Sequence, residues 1–180
     1  MTKIVAGDKA LNFTLNTPWN QDLDFFAETA NKKTAVFFLR YFGCTTCQLE
    51  IHNIIKNHAR FVDAGGTVYV VLQSEASTII ESRSPEDIPF VLILDAEQKL
   101  YKLYGIGSRA EGQAYTPAHI AKRTLALEQG FTHGKYEGNE QQLPAVFVID
   151  EEHVVRFAHY GEEVSDIPAH EDILTILRSL

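Results

Sequence analysis

Two cysteines carry the residue type and the spacing that most directly suggest chemistry in this 180-residue sequence. Cys44 and Cys47 are the only cysteines and form the motif C-T-T-C. Two thiols at this spacing can exchange two electrons by closing into one disulfide, with one thiol attacking and the other resolving. A structural bridge across so small a loop would add little stability, and a zinc site needs about four ligands. The pair therefore predicts a redox-active, catalytic dithiol with no metal and no other cofactor, with zinc binding and chance spacing as the alternatives.

The elements around the motif would activate these thiols. The apolar run Ala35–Tyr41 predicts a buried strand, and Gly43 then turns the chain into a helix that ends at Gly65. Unpaired N–H groups and the dipole at a helix N-terminus favour an anion, and CxxC motifs can lower a thiol pKa from about 8.5 to roughly 3.5–7.5. We expect Cys44 at the exposed tip as the nucleophile and Cys47, one turn further in, as the shielded resolving thiol.

The rest of the sequence alternates strands with helices. The other predicted strands are Leu11–Leu15, Thr67–Gln73, Phe90–Leu94, Ala145–Asp150 and Val154–His159. The other predicted helices run from an N-cap at Ser74 through Glu81, over Gln98–Tyr104, over Ala118–Gln129, and from a cap at Ser165 or Asp166 onwards. This order predicts an α/β fold, a central mixed β-sheet flanked by helices. No linker divides residues 1–180, so we expect a single domain, with the strand-poor segment 105–142 as an insertion over one end of the sheet.

Composition limits the partners. The chain has 16 basic and 24 acidic residues, a net charge of −8, and 45% hydrophobic residues. Phosphate binding needs a surplus of Lys and Arg, so nucleic acid and anionic membrane surfaces are excluded as general partners. The N-terminus carries no signal-like apolar region, and the longest apolar runs are too short to cross a bilayer. We expect a soluble cytoplasmic protein, in which a CxxC pair stays mostly reduced.

Pro144 is a second candidate site residue. It directly precedes the buried run Ala145–Ile149. A proline here has two interpretations. The first is a trans proline that marks the start of a strand. The second is a cis proline that faces the thiols and leaves backbone polar groups beside the sulfurs for an incoming substrate.

Several stretches, taken in order, give the sequence a family resemblance. Residues 7–15 match the pattern G-x-x-A-x-x-F-x-L, and Arg40–Glu50 matches an active-site strand and helix start. The closing half is matched by Gln142–Asp150 and Arg156–His159. The sequence resembles the thioredoxin superfamily and, within it, the peroxiredoxin-like branch of the AhpC/TSA (redoxin) family, over roughly residues 7–180.

This resemblance implies a thioredoxin-like fold and the activity of a thiol-dependent oxidoreductase or antioxidant. The substrate would be a disulfide or a peroxide. The electron donor would be a thioredoxin-like protein or a low-molecular-weight thiol, and the resemblance also allows a homodimer. The alternative is a non-enzymatic thioredoxin-fold redox sensor or binding module in which the thiol pair has lost its catalytic role.

The sequence departs from that family at the centre itself. Typical peroxiredoxins carry P-x-x-x-T-x-x-C and an arginine on a later strand. With Cys47 at the peroxidatic position, Arg40 replaces the proline, Cys44 the threonine and Pro144 the arginine. Loss of positioned donors should slow peroxide cleavage. The resemblance thus implies a thioredoxin-style centre in a peroxiredoxin frame, and it leaves open which thiol reacts first and on which substrate.

Polar residues near the motif are candidates for positioning a substrate. They are Thr45, Thr46, Pro144 and Arg40. Arg40 has a second interpretation as a surface residue at the end of its strand. The histidines outside the motif helix are expected to pack or to lie at the surface rather than to catalyse; they are His119, His133, His153, His159 and His170.

Overall fold

The computed structural model describes residues 3–180. Its strands are, in chain order, β1 (Thr14–Leu15), β2 (Leu23–Asp24), β3 (Lys33–Phe38), β4 (Gly66–Leu72), β5 (Val91–Leu94), β6 (Ala145–Ile149) and β7 (Val155–Tyr160). Its helices are α1 (Phe25–Glu28), α2 (Thr45–Asp63), α3 (Ala76–Ile80), α4 (Lys99–Leu103), α5 (Pro117–Glu128) and α6 (His170–Ser179), with a 3-10 turn at Pro85–Asp87. Within residues 3–180, none of these helices combines the length and the apolarity that a bilayer crossing requires.

The larger sheet is mixed and has the strand order β5-β4-β3-β6-β7. Strands β3, β4 and β5 run parallel, whereas β6 is antiparallel to both β3 and β7. Strands β1 and β2 form a separate antiparallel pair. The predicted α/β class, with a central mixed sheet flanked by helices, is therefore confirmed.

Strand β3 is buried on both faces because it lies in the middle of this sheet. Its side chains alternate between two core clusters, as the two-residue period of a strand requires. Phe37 packs on one face with residues of α2 and α6 such as Ile54 and Leu174. Phe38 packs on the other face with Tyr101 and Phe147. A strand covered on both sides reads as a continuous apolar run, which is why its position was predictable.

The predicted leading strand Leu11–Leu15 is wrong in extent. Only Thr14–Leu15 is a strand, because the pairing partner β2 is two residues long. The Leu11 carbonyl instead accepts a hydrogen bond from the Tyr104 hydroxyl at 2.9 Å. Alternating polarity therefore marked a segment that packs on the core without a ladder partner.

Two predicted helix caps are also wrong. Glu75, not Ser74, precedes α3, because the Ser74 hydroxyl donates to a carboxylate from segment 105–142. The last helix begins at His170 rather than after Ser165 or Asp166. Ser165 hydrogen-bonds to a histidine of α5, and the Asp166 carboxylate accepts from a backbone N–H of the preceding turn.

Segment 105–142 covers one end of the sheet, as predicted. As far as the structure describes it, the segment holds α5 but no strand, and its two ends meet at a bridge between Ser108 and Gln142. Helix α5 packs against α2. Further along, the N–H of Gly134 donates to the Gly43 carbonyl at 2.8 Å. The segment thus lies directly over the turn that carries the thiol motif.

Candidate active site

The turn between β3 and α2 places Cys44 at the start of a long helix. Cys44 is the N-cap of α2, with an extended backbone, and its sulfur accepts the N–H of Cys47 at 3.4 Å. A second contact holds the turn from outside, since the Phe42 N–H donates to the Ser74 hydroxyl at 2.9 Å. A sulfur at this position meets the unpaired N–H groups and the positive end of the helix dipole. The sequence predicted this local geometry correctly.

Neither thiol is exposed, so the prediction that Cys44 forms an exposed tip is wrong. The exposed fraction is 0% for Cys44 and 3% for Cys47. The covering comes from segment 105–142, which approaches the turn so closely that only glycine fits at position 43. A Cβ on Gly43 would lie 2.4 Å from the carbonyl oxygen of Lys135. Because Cys44 has no exposed surface, a substrate can reach its sulfur only if the covering residues move.

Arg40 is buried beside the thiols, and its interpretation as a surface residue is wrong. Its Nη2 donates to the Cys44 sulfur at 3.0 Å, and its Nη1 donates to the Glu140 carbonyl at 2.7 Å. The Glu140 carboxylate lies 3.9 Å from the same Nη1. Because a guanidinium keeps its charge at any physiological pH, Arg40 supplies a fixed cation in contact with the sulfur.

The hydroxyl of Thr46 is the second side-chain group at this sulfur. Its Oγ1 lies 3.4 Å from the Cys44 Sγ. Thr45 is also buried but lines a cavity beside Arg40 without a hydrogen bond to the sulfur. The structure therefore brings Arg40 and Thr46 to Cys44 and places Thr45 in the lining of the adjacent cavity.

The pKa values of the two thiols are shifted in opposite directions. Burial by itself raises the pKa of Cys44, but the Cys47 side chain, the charge of Arg40 and the Thr46 hydroxyl together lower it to about 5. Burial raises the pKa of Cys47 well above its usual range, and the adjacent Cys44 raises it further. At neutral pH the pair is thus one thiolate, on Cys44, beside one protonated thiol, on Cys47.

Pro144 lies at the same end of the sheet but in a trans peptide. No cis peptide occurs within residues 3–180, so the cis interpretation of Leu143–Pro144 is wrong. The register pairs Ala145 with Phe38, which sets Pro144 beside the end of β3. Its carbonyl accepts the N–H of Gly161 at 2.9 Å, which continues the strand pairing beyond β7. Pro144 therefore acts in this structure as the start of a strand.

Two contacts between aromatic side chains lie beside the turn that carries Cys44, and the sequence did not predict them. The Tyr41 hydroxyl lies 2.9 Å from Nε2 of His133, and His133 stacks on Tyr136 with ring centroids 3.9 Å apart. His133 and Glu140 lie about ninety to one hundred positions from their partners in the chain. No local spacing could have indicated those contacts.

A second buried anion lies further along the same helix. Glu50 contacts Nε2 of His170 at 2.8 Å and Nζ of Lys122 at 3.0 Å. Burial raises the pKa of Glu50, but these two partners outweigh it and hold the pKa below its usual value. His170 thus joins the start of α6 to Glu50 of α2, in line with a structural role. Within residues 3–180, no three His, Cys, Asp or Glu side chains are grouped as a metal site would require.

The fold and the helix-start dithiol define a class, the thioredoxin-like redox proteins. Within that class, the model of the AhpC/TSA family matches residues 6–158, and the chain belongs to that family. Membership supports a thiol-dependent redox function. No curated protein sequence matches the chain.

Solved structures share the fold at low sequence identity. The peroxidoxin BcpB of Mycobacterium tuberculosis is 15% identical, with a TM-score of 0.70 over 98% of both chains. A peroxiredoxin-like protein of Aquifex aeolicus is 14% identical, with a TM-score of 0.69 over 99% of this chain and 89% of its own. A candidate thiol:disulfide interchange protein DsbE of Chlorobium tepidum is 18% identical, with a TM-score of 0.62 over 97% and 99%. The similarity confirms a thioredoxin-like fold that both peroxide and disulfide chemistry use.

Proposed function

We propose that this protein is a thiol-dependent peroxidase in which Cys44 attacks a hydroperoxide and Cys47 resolves the product. The observation that carries the proposal is the pair of donors at a buried Cys44 sulfur, Arg40 at 3.0 Å and Thr46 at 3.4 Å. The dithiol is the redox group, and no other cofactor is invoked. Thr45, which lines the cavity beside Arg40, would help to position the substrate, whereas Pro144 keeps its role at the start of β6.

The donors at Cys44 compensate for the departures from the family pattern. The sequence lacks the threonine and the later arginine expected around Cys47. A hydroxyl and a guanidinium nevertheless meet one sulfur, contributed by Thr46 and Arg40. Both groups lower the pKa of Cys44 and so hold its sulfur as the thiolate, the nucleophilic form, at neutral pH. This argues for Cys44, rather than Cys47, as the peroxidatic thiol.

The proposed reaction has two steps. In the first, the Cys44 thiolate attacks the terminal oxygen of ROOH, an S–O bond forms, the O–O bond breaks, and RO⁻ leaves to take a proton from water. In the second, the Cys47 thiol attacks the Cys44 sulfenic acid, an S–S bond forms, the S–O bond breaks, and the thiol proton leaves with the hydroxyl as water. The dithiol loses two electrons and the peroxide gains them. A thiol donor in a reducing compartment such as the cytoplasm then restores the dithiol by disulfide exchange.

Trapping of the sulfenic acid tests the assignment. Hydrogen peroxide is added to reduced Cys47→Ser and Cys44→Ser proteins in the presence of a sulfenic acid probe, and the labelled residue is found by peptide mapping. We expect labelling of Cys44 in Cys47→Ser, because the resolving thiol is absent, and none in Cys44→Ser. Labelling of Cys47 in Cys44→Ser at the wild-type rate of thiol oxidation would show that the roles are reversed.

Disulfide reduction is a second candidate, favoured by the C-T-T-C motif at a helix start. Cys44 is completely buried, so either oxidant needs the covering residues to move, and a bulky disulfide needs a larger movement than a small peroxide for in-line access to the sulfur. Oxidation of the reduced protein by glutathione disulfide and by hydrogen peroxide separates the two candidates. Faster oxidation by the disulfide would favour it. If neither oxidant reacts with the dithiol faster than with free cysteine, the protein is a non-enzymatic redox or binding module.

A further inference from the structure

A buried carboxylate lies in residues 132–140, here called the cover, which lie over the turn that carries Cys44. The Glu137 side chain is only 5% exposed. Its carboxylate accepts hydrogen bonds from the hydroxyls of Ser74 and Thr78, both at 2.7 Å, and from the Glu75 N–H at 3.1 Å. Three donors from the stretch that follows β4 thus satisfy a charge that burial would otherwise make costly.

The same carboxylate is connected to the turn before the thiol. The Ser74 hydroxyl donates to Glu137 and accepts the N–H of Phe42 at 2.9 Å. A hydroxyl can donate and accept at the same time, so one side chain serves both contacts. Glu137 therefore attaches the cover to the end of β4 and, through Ser74, to the turn that carries Cys44.

The other contacts of the cover are spread along its length. The Gly134 N–H donates to the Gly43 carbonyl at 2.8 Å. The Asn139 N–H donates to the side-chain oxygen of Gln73 at 2.7 Å. Further hydrogen bonds reach Arg40, Tyr41 and Gln48. Hydrogen bonds to an ionised acceptor are roughly twice as strong as neutral ones. Because Glu137 accepts three of them, it is the strongest attachment of the cover.

Unwinding of the first turn of α2 is the other way to uncover the sulfur. The Cys47 N–H donates to the Cys44 sulfur, and the Gln48 N–H donates to the Cys44 carbonyl at 2.9 Å. Unwinding would break both contacts and remove the helix start that stabilises a thiolate. Opening of the cover leaves this turn of helix intact. It therefore exposes Cys44 in its reactive form.

We propose that Glu137 is a positioning residue that latches the cover, and that release of this latch, rather than unwinding of α2, admits reactants to Cys44. The rate of any reaction at the sulfur is then the fraction of molecules with an open cover multiplied by the rate of the exposed thiolate. The proposal concerns access alone. It applies to a peroxide, a disulfide or an alkylating reagent, so it does not rest on the function proposed above.

Amide hydrogen exchange and alkylation of the reduced protein test the latch together. Exchange, followed by NMR, is compared at Gly134 and Asn139 in the cover and at Gln48 in α2. Alkylation of Cys44 by iodoacetamide at pH 7 is followed by mass spectrometry of the peptide that contains it.

Two variants weaken the latch, and a third is the control. Glu137→Gln removes the charge, and Thr78→Val removes one donor and keeps the charge. The matched control is Glu50→Gln, which also removes a buried carboxylate, but one whose partners lie on α5 and α6. It separates opening of the cover from a general loss of stability, because local opening does not require global unfolding.

We expect Glu137→Gln to speed exchange at Gly134 and Asn139 and alkylation of Cys44 by the same factor. That factor should be about ten- to a hundredfold, the equivalent of one hydrogen bond to a charged group. Thr78→Val should speed all three by a smaller common factor, and Glu50→Gln should change none of them. Exchange at Gln48 should stay the same in every variant.

Two results would overturn the proposal. One is an increase in exchange at Gln48 that matches the increase in alkylation, which would show that α2 unwinds. The other is alkylation of Cys44 that stays at the wild-type rate although exchange in the cover becomes faster. Thr78→Val decides between these outcomes by itself if Glu137→Gln does not fold.

Discussion

Helix α2 carries two buried anionic groups, Cys44 and Glu50, and we assign them different functions. Cys44 caps its first turn, and Glu50 lies less than two turns further along. Each is held by a cation from elsewhere in the chain. Arg40, from the end of β3, contacts the Cys44 sulfur, and Lys122 of α5 contacts the Glu50 carboxylate, which His170 of α6 also meets. Burial and a cationic partner are common to both sites and so do not by themselves define an active site.

The difference lies in what else each anion meets. Both carboxylate oxygens of Glu50 are occupied by partners, which ties three helices together, although Glu50 also lines a cavity of about 520 Å³. The Cys44 sulfur is a strong nucleophile, has the resolving thiol of Cys47 one turn away, and lies behind a cavity. A cavity adjoins both sites, so the second redox group is what makes Cys44 rather than Glu50 the candidate reaction centre.

Loss of the Arg40 charge should have the largest effect on the reactivity that distinguishes the Cys44 site from the Glu50 site. In Arg40→Met we expect the pKa of Cys44 to rise and the rate of oxidation by hydrogen peroxide at pH 7 to fall about 10²–10³-fold, the usual cost of removing one positioned donor. Arg40→Lys should retain part of the rate. The pKa is read from thiolate absorbance against pH, and the rate from stopped-flow fluorescence. An unchanged pKa in Arg40→Met would mean that the helix start alone activates the sulfur.

Loss of the Glu50 charge should affect stability and leave the chemistry intact. In Glu50→Gln the Lys122 ammonium loses its partner, which we expect to cost about 2–3 kcal/mol of unfolding free energy, below the value for a fully buried pair because Lys122 is partly exposed. Denaturant unfolding measures this loss. The matched control is Glu171→Gln, whose pairs with arginines are exposed, so its loss should change the unfolding free energy far less. A large fall in the peroxide rate of Glu50→Gln would contradict the division between the two sites.

The dependence of the unfolding free energy on pH should distinguish the contribution of Cys44 from that of Glu50. The folded pKa of Cys44 is about 5 against an ordinary value of 9.0, so the unfolded state binds the extra proton between these values. The stabilisation is complete above about pH 9 and is lost as pH falls to about 5, with a slope of up to about 1.4 kcal/mol per pH unit. The Glu50 pKa is also lowered, from 4.5, so its contribution is lost only in more acidic solution.

Measured unfolding free energies from pH 5 to pH 8 check this expectation. The difference between wild type and Cys44→Ser should grow with pH across that range, whereas the difference between wild type and Glu50→Gln should stay constant. A difference between wild type and Cys44→Ser that does not change with pH would show that Cys44 is not ionised in the folded protein.

The sequence predicted the parts of the site that depend on local structure. A buried strand, a glycine turn and a helix start are coded by neighbouring residues, so the position of Cys44 as N-cap was accessible. Its burial was not, because the cover comes from residues near Lys135 that contact Gly43. The role of Arg40 was missed for the same reason, since its second anchor, Glu140, lies one hundred residues away. Capping residues such as Ser165 were misassigned because a tertiary contact had already engaged their side chains.

Loss of the Thr46 hydroxyl should have the smallest effect on the reactivity that distinguishes the Cys44 site from the Glu50 site. Thr46→Val keeps the shape of the side chain but removes the group 3.4 Å from the Cys44 sulfur, a long contact that we expect to be worth less than about 1 kcal/mol. The pKa of Cys44 should rise slightly and the peroxide rate fall about two- to fivefold. Thr175→Val, which removes an exposed hydroxyl from α6, provides the control in the same stopped-flow assay. A fall as large as that of Arg40→Met would assign the hydroxyl, rather than the charge, the main part in activating the sulfur.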